Sequence, residues 1–269
     1  MTSVATPVPH DDIGTELVRE WVPKSDPTAV IVLVHGIAEH SGRYERTGAL
    51  LADAGFHVRA FDVIGHGASG GARVDIDDWT RFHDQVESHM TWAKELGVPV
   101  VLMGHSMGGL LALGYALDNR NEPDLLVLSA PALAGGAAWQ RALAGPAARI
   151  APKLSMSQGI KGEHLSRDPE VAELYFSDPL VHTNATARFG KAMFDAMDEA
   201  KARADTLSIP TLVLQGGSDP SVPPQSSAFL ADLPDCERRL YPTLRHEILN
   251  EPEGPEIVAE IIEWVNARI

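Results

Sequence analysis

The chain predicts a mixed α/β fold, a doubly wound and mostly parallel sheet with an inserted helical cap. Two observations carry this. Short β-branched or aliphatic runs without clean alternation recur along the chain, each ending in a turn signal, as strands covered on both faces do. Helical periodicities lie between them, and alternating strand and helix is the signature of right-handed crossovers on a parallel sheet. A third observation predicts the cap: from about Ala132 to Asp205 no convincing strand is found, and the segment is rich in Ala, Met and helix formers.

In chain order, "ELVREWV" reads as an N-terminal antiparallel edge. "AVIVLVHG" (Ala29 to Gly36) and "FHVRAFDVIGHG" (Phe56 to Gly67) follow as buried strands, with a helix over Arg43 to Ala54 between them. A helix over Trp79 to Leu96 carries Trp79, Phe82, Val86 and Met90 at three- and four-residue spacing, a stripe facing the core. "VPVVLMGHS" (Val98 to Ser106) leads into a helix over Met107 to Asn119, and "LLVLSAP" (Leu125 to Pro131) closes the first half. Within the cap, "SRDPEVAELYF" offers Ser166 as an N-cap with Pro at an early helical position. After it come "PTLVLQGG" (Pro210 to Gly217), a helix over Pro224 to Leu233, the more exposed strand "CERRLYP" (Cys236 to Pro242) and a helix over Pro255 to Ala267. The expected division is a core over 1–131, a cap over 132–205 and the rest of the core over 206–269.

Composition narrows the function. The 269 residues carry a formal net charge of −15, which argues against nucleic acid and against electrostatic docking on anionic membranes. A single cysteine, Cys236, leaves no intrachain disulfide. The N-terminus has neither a basic nor an apolar leader segment, and the longest uncharged apolar stretch, "LLVLSAPALAGGAA", is interrupted by Gly and Pro and too short to span a bilayer. A cytoplasmic protein, peripheral at membrane or lipid surfaces, is the expectation.

"GHSMGG" at Gly104 to Gly109 joins a buried strand to a helix. Such an elbow lifts a serine hydroxyl above the carboxyl edge of the sheet, and its glycines let strand and helix backbones approach. Ser106 is therefore a nucleophile or a helix-capping serine. "GASGG" at Gly67 to Gly71 fits the same pattern but lacks both flanks, so Ser69 reads as a loop residue. A serine nucleophile needs a base, and the base an acid to orient it. Asp219 follows "TLVLQGGS", and His246 follows the last strand in "YPTLRHEILNE", the order Ser, acid, His that this architecture uses. Backbone amides of Met107, just after the serine, and Ile37, in "LVHGIAEH", are the candidate oxyanion donors. His35, His66 and His105 adjoin glycine turns and read as turn-fixing; the histidines have no metal-binding spacing, and no metal or other cofactor is implied.

Together "HGIAEHSGRY", "DVIGHGASGG", "GHSMGG", "LSAPAL" and "LSRDP" resemble the monoacylglycerol lipases of the α/β-hydrolase superfamily, over nearly the whole chain after Ile13. The resemblance implies Ser106 as nucleophile, Asp219 as acid, His246 as base, and Ile37 and Met107 as oxyanion donors. It also puts Glu39 and Arg43 in a polar cluster on the glycerol side; as a surface pair four residues apart on a helix they would matter little. The implied reaction is release of a fatty acid from a monoacylglycerol or similar lipid ester through an acyl-enzyme. Leu154, Met156 and Ile160 of the cap are candidates to line an acyl tunnel and touch membrane lipid, or to pack only within the cap. The proline-rich acid loop "GSDPSVPP" and a cap matched only in pieces depart from the family pattern. Rival readings are a lysophospholipase or general carboxylesterase with the same triad, a proline-iminopeptidase-like peptidase, and a non-enzymatic receptor. No motif encodes acyl-chain length or oligomeric state.

Overall fold

The computed structural model describes residues 2–269. Eight strands form one sheet: β1 (Val4–His10), β2 (Gly14–Trp21), β3 (Ala29–Val34), β4 (Phe56–Phe61), β5 (Val100–His105), β6 (Leu125–Ser129), β9 (Thr211–Gly216) and β10 (Cys236–Tyr241), in the spatial order β1-β2-β4-β3-β5-β6-β9-β10. β1, β2 and β4 pair antiparallel; every pairing from β4 to β10 is parallel. Alternate residues of the central strands enter two separate cores. Val30, Val32 and Val34 of β3 face one, and Ala29, Ile31 and Leu33 face the other. A strand with both faces covered has no reason to alternate in polarity, which is why these segments are apolar throughout.

Helices α1 (Glu45–Asp53) and α8 (Gly254–Asn266) cover one face, and α2 (Thr80–Glu95) and α3 (Met107–Leu117) the other. Phe82, Val86 and Met90 of the stripe are buried, and Trp79 packs half-buried beside them. Between β6 and β9 run α4 (Ala138–Ile150), β7 (Ser155–Ser157), α5 (Gly162–Leu165), α6 (Pro169–Ser177), β8 (Asn184–Thr186) and α7 (Ala187–Arg203). α7 sinks Phe189, Met197 and Ala200 into the core above α3, with the Phe189 ring tilted against Trp79 and Phe82.

Several expectations change. β2 is not the edge: β1 lies outside it over "VATPVPH". Pro7 and Pro9 disguise that strand, yet a proline is tolerated at an edge because no further strand needs its missing N–H. The segment between β6 and β9 does contain strand, as β7 and β8 pair antiparallel, three residues each and too short to show a period. Pro224–Asp232 is 3-10 rather than α-helix, and the helix expected from Arg43 starts as a 3-10 turn over Ser41–Tyr44 before α1. Asp168, not Ser166, caps α6, accepting from the Glu170 N–H at 3.0 Å with Pro169 as the first helical residue.

Candidate active site

The strand order turns at β3. From β3 the chain moves outward to β4, then crosses back to β5 on the other side. Crevices open at the carboxyl ends of strands flanking such a switch point, and here the loops after β3 and β5 occupy it. The β5 loop is the elbow. Ser106 has φ 52° and ψ −115°, a strained left-handed conformation. A Cβ on Gly104 would stand 2.1 Å from the Gly108 carbonyl oxygen, and one on Gly108 would stand 2.1 Å from that of Val34. Nothing larger than glycine fits either place.

Ser106 sits at the N-cap position of α3, yet its side chain makes no capping bond. Its Oγ lies 2.9 Å from His246 Nε2, and His246 Nδ1 lies 2.8 Å from Asp219 Oδ2. A carboxylate only accepts, so Nδ1 carries the proton and the Nε2 lone pair faces the serine hydroxyl. Asp219 also accepts from the amides of Ser221 (2.8 Å) and Val222 (2.9 Å) and from Gln215 Nε2 (3.2 Å). Burial alone would lower the His246 pKa; Asp219, with Glu247 and Glu39 nearby, reverses the sign and raises it. His105, its ring centroid 4.9 Å from that of His246, is pushed down to about 4 by burial and by that neighbour. It is neutral. The three residues that the sequence placed 140 positions apart at most are thus one hydrogen-bonded chain.

The loop after β3 lies against the elbow: a Cβ on Gly36 would meet Ser106 Cβ at 3.3 Å and Glu39 Oε1 at 3.0 Å. Ile37 follows in this loop, half-buried, and Met107 opens α3. His35 is a turn-fixing residue in detail: Nε2 accepts from the Val63 amide at 2.9 Å while Nδ1 bonds the Gly36 carbonyl at 2.7 Å. His66 bonds the Ile64 carbonyl in the same way. Ser69 is a buried loop residue whose hydroxyl accepts from the Leu17 amide.

Glu39 and Arg43 are not a helix-surface pair, because Glu39 precedes the 3-10 turn that holds Arg43. Both are buried. Glu39 Oε1 accepts from the Gly36 amide and from the Tyr44 hydroxyl, each at 2.7 Å, and Oε2 from Arg43 Nη1 at 2.6 Å. Arg43 also holds Glu247 in two parallel bonds of 2.7 and 2.8 Å, and the Tyr175 ring covers its guanidinium at 4.6 Å. Burial would raise the Glu39 pKa, but Arg43 and the surrounding donors hold it at about 2. These two side chains are engaged with protein groups on every polar face named, the oxyanion-side loop on one side and the residue after His246 on the other.

Sequence reasoning did not single out Glu247, Glu251 or Asp62. Asp62 ties the loop after β3 to the loop after β4, accepting from Ser41 N (2.8 Å), Ser41 Oγ (2.6 Å) and Ala68 N (2.8 Å). The available signal for Glu247 and Glu251 was the concentration of charge beside the candidate base in "RHEILNE". Of the cap candidates, Leu154 and Met156 are exposed, whereas Ile160 is half-buried against Ala38, Leu165 and Tyr175.

Residues 25–253 match the family described as serine aminopeptidase, S33. The chain is 34% identical to a monoacylglycerol lipase of Mycolicibacterium smegmatis over 95% of both chains, and 31% identical to the phospholipase YtpA of Bacillus subtilis over 88% of this chain and 95% of that one. It superposes on a crystal structure of Paleococcus ferrophilus monoacylglycerol lipase with a TM-score of 0.85 at 35% identity, covering 94% of this chain and 98% of that one. With a family model spanning most of its length and relatives above 30% identity along nearly all of it, the chain belongs to the S33 hydrolases of the α/β-hydrolase fold and, among them, to the monoacylglycerol lipase family of carboxylic ester hydrolases.

Proposed function

We infer that the protein releases a fatty acid from monoacylglycerol through an acyl-enzyme. The observation that carries this is the Ser106–His246–Asp219 chain at 2.9 and 2.8 Å on a strained elbow. As Ser106 Oγ bonds the acyl carbonyl carbon, its proton passes to His246 Nε2, and Asp219 stabilises the imidazolium. The oxygen anion is met by the backbone amides of Ile37 and Met107, pre-positioned donors that cost no reorganisation. The glycerol oxygen then leaves with the proton from Nε2. Water, deprotonated by the same nitrogen, attacks the acyl-enzyme, and Ser106 recovers its proton as the fatty acid departs. Glu39 and Arg43 act in this reading by holding the loops around the glycerol side rather than by reaching the alcohol, since their polar atoms are engaged with Gly36, Tyr44 and Glu247.

Residues 132–205 serve as a cap over the site, with the core formed by 1–131 and 206–269. Lipid contact belongs to the cap. Trp139, Leu143, Pro146 and Ile150 recur at helical spacing on α4 and are exposed, Ile150 at 84%, with Leu154 and Met156 beyond them. The net charge of −15 directs this face to neutral rather than anionic lipid. No helix among the described residues is long and apolar enough to cross a membrane, so any lipid contact through α4 is peripheral.

The testing experiment measures fatty-acid release from long-chain mono-, di- and triacylglycerol and from a lysophospholipid, with Ser106→Ala alongside. Preference for the monoacylglycerol, lost by roughly 10⁴-fold or more in the variant, is the expected result. The relative named as a phospholipase supplies the second reading; preference for the lysophospholipid would establish it instead.

A further inference from the structure

The sequence fragment "LSRDP" plays no part in the chemistry above, yet its first three residues meet the loop that carries His246. β9's end reaches that loop through the Ser218 amide, which donates to the Leu244 carbonyl at 3.0 Å. The next three amides turn away from the sheet. Arg245 N–H donates to Glu251 Oε1 at 2.7 Å, His246 N–H to the His164 carbonyl at 3.3 Å, and Glu247 N–H to the Leu165 carbonyl at 2.8 Å. Arg245 Nη1 adds a bond to the Ser166 carbonyl at 2.8 Å. Glu251 is fully buried and joins the two segments: its Oε2 accepts from Ser166 Oγ (3.1 Å), Arg167 N (2.9 Å) and Arg167 Nε (3.1 Å).

We propose that residues 164–167, tied down by Glu251, are a clasp that positions His246, with Glu251 and Arg167 as positioning residues for the base. The inference rests on the reading of His246 as general base. A fully buried carboxylate accepting four donors is a rigid junction, because each lost partner leaves a buried charge underserved. The backbone of the base is therefore held by the segment between β6 and β9, while its imidazole is held by Asp219. Displacing that segment displaces the base, and a shift of about 1 Å in a catalytic group is enough to cost on the order of 100-fold in rate. The motif is thus explained by what it grips, not by contact with substrate.

The test is a double-mutant comparison of Glu251→Ala, His246→Ala and the pair, using kcat and KM for a short soluble p-nitrophenyl ester. The expected result is a loss of about ten-fold or more in kcat for Glu251→Ala with KM little changed, and no further loss when it is added to His246→Ala, since a base that is absent cannot be mispositioned. Glu251→Gln, which keeps the Oε1 acceptor for Arg245, should recover part of the rate. Equal losses in both backgrounds would mean a structural role only and would overturn the proposal. Retained activity in His246→Ala alone would instead overturn the reading of the base. Should Glu251→Ala not fold, Arg167→Ala, whose side chain is one-third exposed and gives up the Nε bond, is judged by the same criterion.

Discussion

The imidazole of His246 is under two opposed influences. Burial lowers its pKa and Asp219 raises it, and the net direction is upward from the ordinary 6.5. A general base works only when neutral, so activity should fall on acidification, with the acid limb of kcat/KM above the ordinary histidine range. Asp219→Asn removes the largest raising influence and leaves burial opposed only by Glu247 and Glu39, so the limb should move to lower pH while the rate drops about 10⁴-fold. A pH profile of a soluble ester checks both; an unmoved limb would show that Asp219 does not set the charge of the base. At this scale the sequence was most informative where a residue's position follows from its place after a strand, as for Ser106, Asp219 and His246, which the structure joins in one hydrogen-bonded chain. It was silent on Glu247 and Glu251, because their partners come from far along the chain: Arg43 lies 204 residues from Glu247, and Ser166 85 from Glu251. Nothing local marks such a pairing.

Among the elements, the central strands were legible for a physical reason. Their two faces enter two cores, so each is an unbroken apolar run. β1 was hidden by Pro7 and Pro9, whose lack of an N–H matters only if another strand lies outside. α4 is the element whose sequence and packing are most at odds, since only Ala144 is buried while Trp139, Leu143 and Ile150 face outward. A tryptophan and an isoleucine are each worth roughly 1.5–3 kcal/mol when taken from water. The double variant Trp139→Ser with Ile150→Glu should therefore lower turnover of monoacylglycerol in phosphatidylcholine vesicles about ten-fold or more and leave a soluble ester unaffected. Equal rates of the double variant and the unsubstituted enzyme on vesicles would remove α4 from lipid contact.

Across the whole molecule, the histidines around the site make folding sensitive to mild acid. His35, His66 and His105 are buried, and burial drives their pKa values down, to about 3 for His66 and about 4 for His105. In the unfolded chain they take up protons near 6.5. Their folded pKa values being depressed, the stability they confer is present above pH 6.5 and is lost as pH falls toward the folded values, at about 1.4 kcal/mol per pH unit for each histidine still neutral in the fold. His246 has the opposite sign, its contribution being complete below 6.5 and lost as pH rises through its raised folded value, but it is one group against these three and against His83, His89 and His182, which burial also lowers. The thermal midpoint should fall markedly between pH 7 and 5; a flat midpoint there would contradict the assignment of neutral buried imidazoles. β9 docks on β6, and β10 on β9, after the long excursion through α4 to α7. During synthesis the elbow serine leaves the ribosome 140 residues before the histidine it bonds. At the ~5–20 residues per second of translation, that is an interval of roughly 7 to 28 seconds in which every nascent chain carries the serine without its partner. On the proposed triad the enzyme is born silent, and it is armed only when the chain beyond its last strand brings His246 to Ser106.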